Sequence, residues 1–276
     1  MRIRVSLMMM ALVLVLLASM ACGAEKPYWV EPMQKVHAGF KGTRGYVAQF
    51  GDSITKFPGF WTPLSQCDPE KYLRGEDGFP KVPKGKRWRD IIKGFKAKGP
   101  NEGNEDGWRI GNVLGVVDKV LKRRKPEVAI IMFGTNDMIP NPAYGKAVET
   151  IFRKPLDTLV RKCLAAKCIP ILNTVPPRRD FDWFVLKTNE AVRAVAAKHK
   201  VPLVDYYAEM LKRRPGHTWN GTLISGDGVH PTSIKMDNFS EENLKNAGFA
   251  LRNWVNFLMY REIYFRILSP PRPGQN

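Results

Sequence analysis

With 276 residues, 44% of them hydrophobic and 25% charged, the chain has the make-up of an ordinary globular protein, which excludes a disordered or fibrous one. Its formal net charge of +18 suits anionic partners in general, but the basic residues are spread along the chain rather than gathered in one segment. Four cysteines are too few for a disulfide scaffold, and their spacing offers no zinc pattern.

Arg2 and Arg4 precede an almost uncharged apolar run that reaches Met20 and ends among Ser19, Ala21, Gly23 and Ala24, the pattern of a secretory signal peptide over residues 1–24. The chain is therefore expected to be exported, periplasmic or secreted, with no stable transmembrane anchor. Ser19-Met20-Ala21-Cys22 resembles a bacterial lipoprotein box in which Cys22 would be acylated, but Ser19 stands where that motif prefers a branched aliphatic residue, so soluble export is the preferred reading. Cleavage would remove two arginines and no acid, leaving a net charge of +16.

Residues 25–268 read as one domain. Tyr46 to Phe50 is a short apolar run broken by Gly51-Asp52-Ser53, a strand followed by a tight turn. From Trp108, apolar residues recur at Ile110, Val113, Leu114, Val117 and Leu121, which predicts a helix that stops before Lys125-Pro126. Val128 to Phe133 reads as a buried strand that runs out at Gly134-Thr135-Asn136-Asp137.

Val148 to Leu164 has helical periodicity, in which Pro155 fits only as a first-turn residue of a new segment or as a kink. A strand over Ile169 to Val175, a helix over Leu186 to Lys198, a strand over Val201 to Asp205 and a helix over Tyr206 to Arg214 follow. This alternation predicts an α/β fold, a parallel sheet with helices on both faces, whose ligands collect beyond the carboxyl ends of the strands.

After Pro215 an irregular loop ends in Gly226-Asp227-Gly228-Val229-His230-Pro231. Ser240, with Glu241 and Glu242, starts a helix whose core stripe is Leu244, Leu251, Trp254, Val255 and Leu258. Residues 269–276 form a Pro-rich, frayed tail. The basic runs Lys122-Arg123-Arg124-Lys125 and Lys212-Arg213-Arg214 fall at helix C-termini, where cations meet the helix dipole. With export, that placement argues against a nucleic-acid partner. Cys163 and Cys168 are open to two readings, a disulfide across a helix-to-strand turn or a pair of buried thiols.

A serine hydroxyl becomes a useful nucleophile only when a base takes its proton, and the base needs a partner that fixes its tautomer. Ser53 at a strand end, with Asp227 and His230 three residues apart in one late loop, can supply those roles. The developing oxyanion needs preorganised donors, for which Asn136 and the amides of Ser53 and Gly107 are candidates. Asp52 and Asp137 read as loop-holding residues, and His37, His199 and His217 as surface or packing residues.

Gly51-Asp52-Ser53-Ile54-Thr55, Gly107, Gly134-Thr135-Asn136-Asp137 and Asp227-Gly228-Val229-His230-Pro231 resemble, in order, blocks I, II, III and V of the SGNH (GDSL-type) hydrolases. The resemblance implies a flavodoxin-like three-layer sandwich with a parallel central sheet, Ser53 as nucleophile, His230 as base and Asp227 as its orienter. It also implies Ser53, Gly107 and Asn136 as the oxyanion hole, and no metal or organic cofactor. The likeness departs at Lys96-Ala97-Lys98-Gly99-Pro100, polar where the family has an apolar strand.

Such a protein is expected to be a serine esterase, and its substrate rests on the long segment after Ser53. Phe60 and Trp61 are read as aromatic walls for a sugar ring, which makes a carbohydrate O-acetylesterase acting on acetylated polysaccharide the leading expectation. The same aromatics could instead pack the insertion. The alternatives are a lipase or lysophospholipase of the same family and a non-catalytic exported glycan-binding protein.

Overall fold

A computed structural model describes residues 26–73, 79–82 and 85–270. The signal-peptide and lipoprotein readings of residues 1–24, and all but the first two residues of the expected tail, lie outside the described residues. Among the described residues no helix is long and apolar enough to cross a membrane.

Strands β1 (Thr43–Gly51), β2 (Pro126–Met132), β3 (Ile169–Asn173) and β4 (Leu203–Val204) form one parallel sheet in the order β1-β2-β3-β4. Every residue of β2 and β3 is buried, as a parallel sheet covered on both faces requires. On one face pack α1 (Val30–His37), α9 (Tyr206–Arg213) and α11 (Gly248–Ile263). The other carries α4 (Ile110–Leu114), α5 (Val117–Arg124), α7 (Lys154–Ala165) and α8 (Asp182–His199). Three short helices lie elsewhere along the chain, α2 (Ser53–Lys56), α3 (Trp88–Ile91) and α10 (Glu241–Leu244), and α6 (Tyr144–Val148) runs towards α7. The expected α/β sandwich with a parallel central sheet is the fold observed.

Local departures have local causes. The helix expected from Trp108 to Leu121 breaks at Gly115, whose amide closes α4 on Asn112 and Val113, before α5 resumes. Pro155 lies in the first turn of α7, directly after a π-helical turn over Glu149–Arg153. The wider turn absorbs the hydrogen bond that proline cannot donate.

Beyond β1, where the family resemblance implied an apolar strand, the polar segment makes only two parallel bridges, Tyr46 to Lys93 and Gly51 to Asn104. Side chains complete the pairing between them. Gln49 donates to the Gly94 carbonyl at 2.7 Å, and Asn104 donates to the Gln49 carbonyl at 2.8 Å. These bonds occupy backbone groups that an open sheet edge would expose.

Both basic runs end helices. Arg123 and Arg124 in the last turn of α5 pair with Glu102, and Arg213 in the last turn of α9 pairs with Glu209. Cys163 and Cys168 are buried free thiols.

Candidate active site

β1 ends at Gly51, where an added Cβ would stand 2.1 Å from the Thr55 hydroxyl and 2.7 Å from the Met132 carbonyl, so the chain can turn into α2 only with glycine here. Asp52 caps α2 by accepting from the Ile54 amide at 3.0 Å. Ser53 is the first residue of α2 and thus sits at the carboxyl edge of the sheet. Gly51 pairs with Met132, so Ser53 and Asn136 leave the sheet from adjacent strands, two and four residues beyond that pair.

Ser53 Oγ lies 3.0 Å from His230 Nε2, and His230 Nδ1 lies 2.6 Å from Asp227 Oδ2. The other Asp227 oxygen accepts from the Ser225 hydroxyl at 2.7 Å and from the amides of Val229 and His230 at 2.9 and 3.0 Å. Partial burial works to raise the Asp227 carboxyl, but the donors from Ser225, Val229 and His230 outweigh it and hold the group well below the usual carboxylate range. Asp227 is therefore ionised and can orient a His230 tautomer that presents its Nε2 lone pair to Ser53.

Asn136 is tied to the segment that carries Gly107. The Asn136 carboxamide donates to the Trp108 carbonyl at 3.2 Å, which fixes its plane and leaves its second N–H for an acceptor. Gly107 is exposed at a left-handed φ of 70° in the turn that leads into α4. Two further bonds hold this region. Asp137 accepts from the first amide of α4, Ile110, at 3.0 Å, and Arg178 donates to the Thr135 carbonyl at 2.8 Å. Burial pushes the Asp137 carboxyl up to about 7 and that of Asp52 up to about 6.

A cavity of about 740 Å³ opens beside the serine. Ser53 and His230 form part of it, and Phe57, Pro58, Ile234 and Phe249 give it an apolar wall. Phe57 packs against Phe249 in a tilted pair with ring centroids 4.8 Å apart. Among the described residues no group of three His, Cys, Asp or Glu side chains is placed to hold a metal ion.

Phe60 and Trp61 require a correction. Both are 0% exposed and neither lines the cavity, so they wall no sugar subsite. Trp61 takes a left-handed φ of 66°, costly for a bulky residue, and its amide donates to Asn253 in α11 at 2.8 Å, which turns the segment inward. The Phe60 ring lies beneath the guanidinium of Arg252 at 3.6 Å and the ammonium of Lys98 at 5.3 Å. The aromatic of this stretch that does reach the cavity is Phe57.

Sequence reasoning also passed over Ser225, Lys98 and Arg252. Ser225 stands in the same loop as Asp227, but its role depends on how that loop closes, with the Ser225 amide on the His230 carbonyl at 2.8 Å. Lys98 and Arg252 carry no sequence signal, because their partners lie 38 to 198 residues away.

A model of the GDSL-like Lipase/Acylhydrolase family matches residues 50–234. No curated protein matches the sequence. Among solved structures the chain is similar to a lipase/acylhydrolase from Enterococcus faecalis, with 21% identity, 85% of this chain and 100% of that one covered, and a TM-score of 0.53. It is similar to a GDSL-like lipase from Bacteroides thetaiotaomicron, with 18% identity, 86% and 100% coverage and a TM-score of 0.50. An acetyl xylan esterase shares 20% identity over 72% of this chain and 97% of its own, with a TM-score of 0.50. At these identities the likeness is one of fold.

Proposed function

This chain belongs to the GDSL-like lipase/acylhydrolase family, and from that premise we propose that it hydrolyses carboxylic esters through an acyl-enzyme on Ser53. The observation that carries the reading is the unbroken relay from Ser53 Oγ to His230 Nε2, 3.0 Å, and from His230 Nδ1 to Asp227, 2.6 Å. His230 takes the Ser53 proton as Oγ attacks the ester carbonyl, and the oxyanion draws on Asn136 and the amides of Ser53 and Gly107. His230 then returns the proton to the departing alcohol. Water, deprotonated by the same imidazole, releases the acid and restores Ser53.

For the substrate, the buried positions of Phe60 and Trp61 remove the aromatic platform on which a carbohydrate O-acetylesterase was expected. The apolar wall of Phe57, Pro58, Ile234 and Phe249 instead favours the acyl-esterase alternative, an ester whose acyl chain lies along that wall. Each methylene buried there adds about 0.8 kcal/mol of binding. The aligned relay argues against a purely glycan-binding role.

An organophosphonate probe and a graded series of aryl esters test both levels. Labelling of Ser53 that disappears in Ser53→Ala, with kcat/KM rising from acetate to medium-chain esters, is the expected result. Turnover by Ser53→Ala at the wild-type rate overturns the nucleophile, and an acetylated oligosaccharide preferred over every acyl ester overturns the substrate class.

A further inference from the structure

Two cations, Lys98 partly buried and Arg252 fully buried, lie under the nucleophile helix. Lys98, from the polar segment that replaces the edge strand, places its ammonium 2.6 Å from Gln49 Oε1, 2.7 Å from the Thr55 carbonyl and 3.1 Å from the Phe60 carbonyl. Arg252, from α11, is 0% exposed and donates to the Ile54 carbonyl at 2.7 Å and the Thr55 hydroxyl at 3.0 Å. Between them they take the successive Ile54 and Thr55 carbonyls, which the short helix's own backbone bonds, from Thr55 and Lys56 to the Asp52 carbonyl and from Phe57 to the Ser53 carbonyl, leave to other donors. Lys98 also lines the cavity that Ser53 and His230 line.

We propose that Lys98 is a positioning residue for the reaction, its ammonium fixing the Thr55 carbonyl near the C-terminal end of α2 so that Ser53 Oγ stays aligned with His230 Nε2. The inference rests on Ser53 being the nucleophile and adds to that reading a requirement for charge beneath it. An ammonium has three N–H donors for its three acceptors, whereas the neutral amine has two and a lone pair that faces an acceptor. Proton loss therefore breaks one of the three bonds and leaves a carbonyl or the Gln49 amide oxygen unpaired in a buried place.

The surroundings favour that proton loss within an accessible range. Burial, reinforced by the charge of Arg252, pushes the Lys98 ammonium down to about 7. The other charged groups nearby are Asp52 at the head of α2, which interacts with Arg252, and Lys56, which lines the same cavity and pairs with Glu105 and, at 2.8 Å, with Asp106. Activity is thus expected to fall on the alkaline side as Lys98 loses its proton.

The test compares wild type, Lys98→Met and Gln49→Glu from about pH 5.5 to about pH 9, reading kcat, KM and the rate at which an aryl phosphonate labels Ser53. In Lys98→Met, kcat and labelling should drop about 10- to 100-fold at the acidic end, with KM within about twofold, and the alkaline fall should vanish. Gln49→Glu, by placing a carboxylate against the ammonium, should move the alkaline fall upward by about one pH unit or more. A folded Lys98→Met with the wild-type labelling rate and profile overturns the proposal, as does a Gln49→Glu profile that does not move. If wild type is labelled nowhere at Ser53, the nucleophile assignment itself fails. Labelling at Ser53 with these profiles unchanged removes only the role of Lys98.

Discussion

Asp227 meets His230 twice, through Oδ2 to the ring Nδ1 at 2.6 Å and through Oδ1 to the backbone amide at 3.0 Å. One carboxylate thereby sets the position of both the ring and the chain that carries it. Asp227→Ala should lower kcat about 10³- to 10⁴-fold, since it removes the ring's orienter and the partner of the imidazolium. Steady-state kinetics on a small aryl ester measures the loss. Activity within tenfold of wild type would show that the imidazole is held by other means.

Asn136 is oriented by its bond to the Trp108 carbonyl at 3.2 Å, with one N–H still available. Asn136→Ala should lower kcat about 10²- to 10³-fold and leave KM nearly unchanged, because an oxyanion donor gains strength as charge develops on the carbonyl oxygen. A change confined to KM would assign Asn136 to substrate binding alone.

Phe60 supports Lys98 and Arg252 from within the core. Phe60→Ala should cost about 3 to 5 kcal/mol of stability, read by denaturant unfolding, and should slow short-chain and long-chain esters by the same factor. Phe57→Ala is the contrast. It should cost little stability and should slow long-chain esters selectively, since Phe57 lies in the cavity wall. Selectivity in the Phe60 variant and none in the Phe57 variant would reverse the two roles.

Asp52 is 0% exposed, and burial raises its carboxyl from 3.8 to about 6. A raised carboxyl binds its proton more tightly in the folded chain, so its contribution to stability is complete below the unfolded value and is lost as pH rises through about 6. Asp52→Asn keeps the acceptor for the Ile54 amide and removes the charge. Its melting temperature relative to wild type should therefore climb between about pH 4 and about pH 8, by an amount corresponding to roughly 2 to 3 kcal/mol. A difference independent of pH would show that the Asp52 carboxyl titrates at the same value in the folded and the unfolded chain.

The relay was legible in the sequence because each of its parts is local. Gly51-Asp52-Ser53 breaks an apolar run, Gly134 to Asp137 breaks another, and Asp227 and His230 are three residues apart, so a strand end or one turn is enough to place each group. The alternation of strands and helices set the parallel sense of the sheet for the same reason, since period and punctuation act over a few residues, whereas the strand order came with the tertiary structure.

Only the tertiary structure decided what lies beneath Ser53 and beside it. Phe60 and Trp61 follow Ser53 in the chain, as a cavity wall would, yet Asn253 and Arg252, more than 190 residues later, draw that segment into the core. Lys98 falls in a stretch whose polarity reads as solvent-facing, because nothing within a few residues of it supplies Gln49, Thr55 or the Phe60 carbonyl as acceptors. A side chain's own sequence neighbourhood carries its helical or strand period, but the covering of a charge depends on partners that arrive only when distant segments pack, and those partners determine that Lys98 is partly buried where Phe57 is exposed.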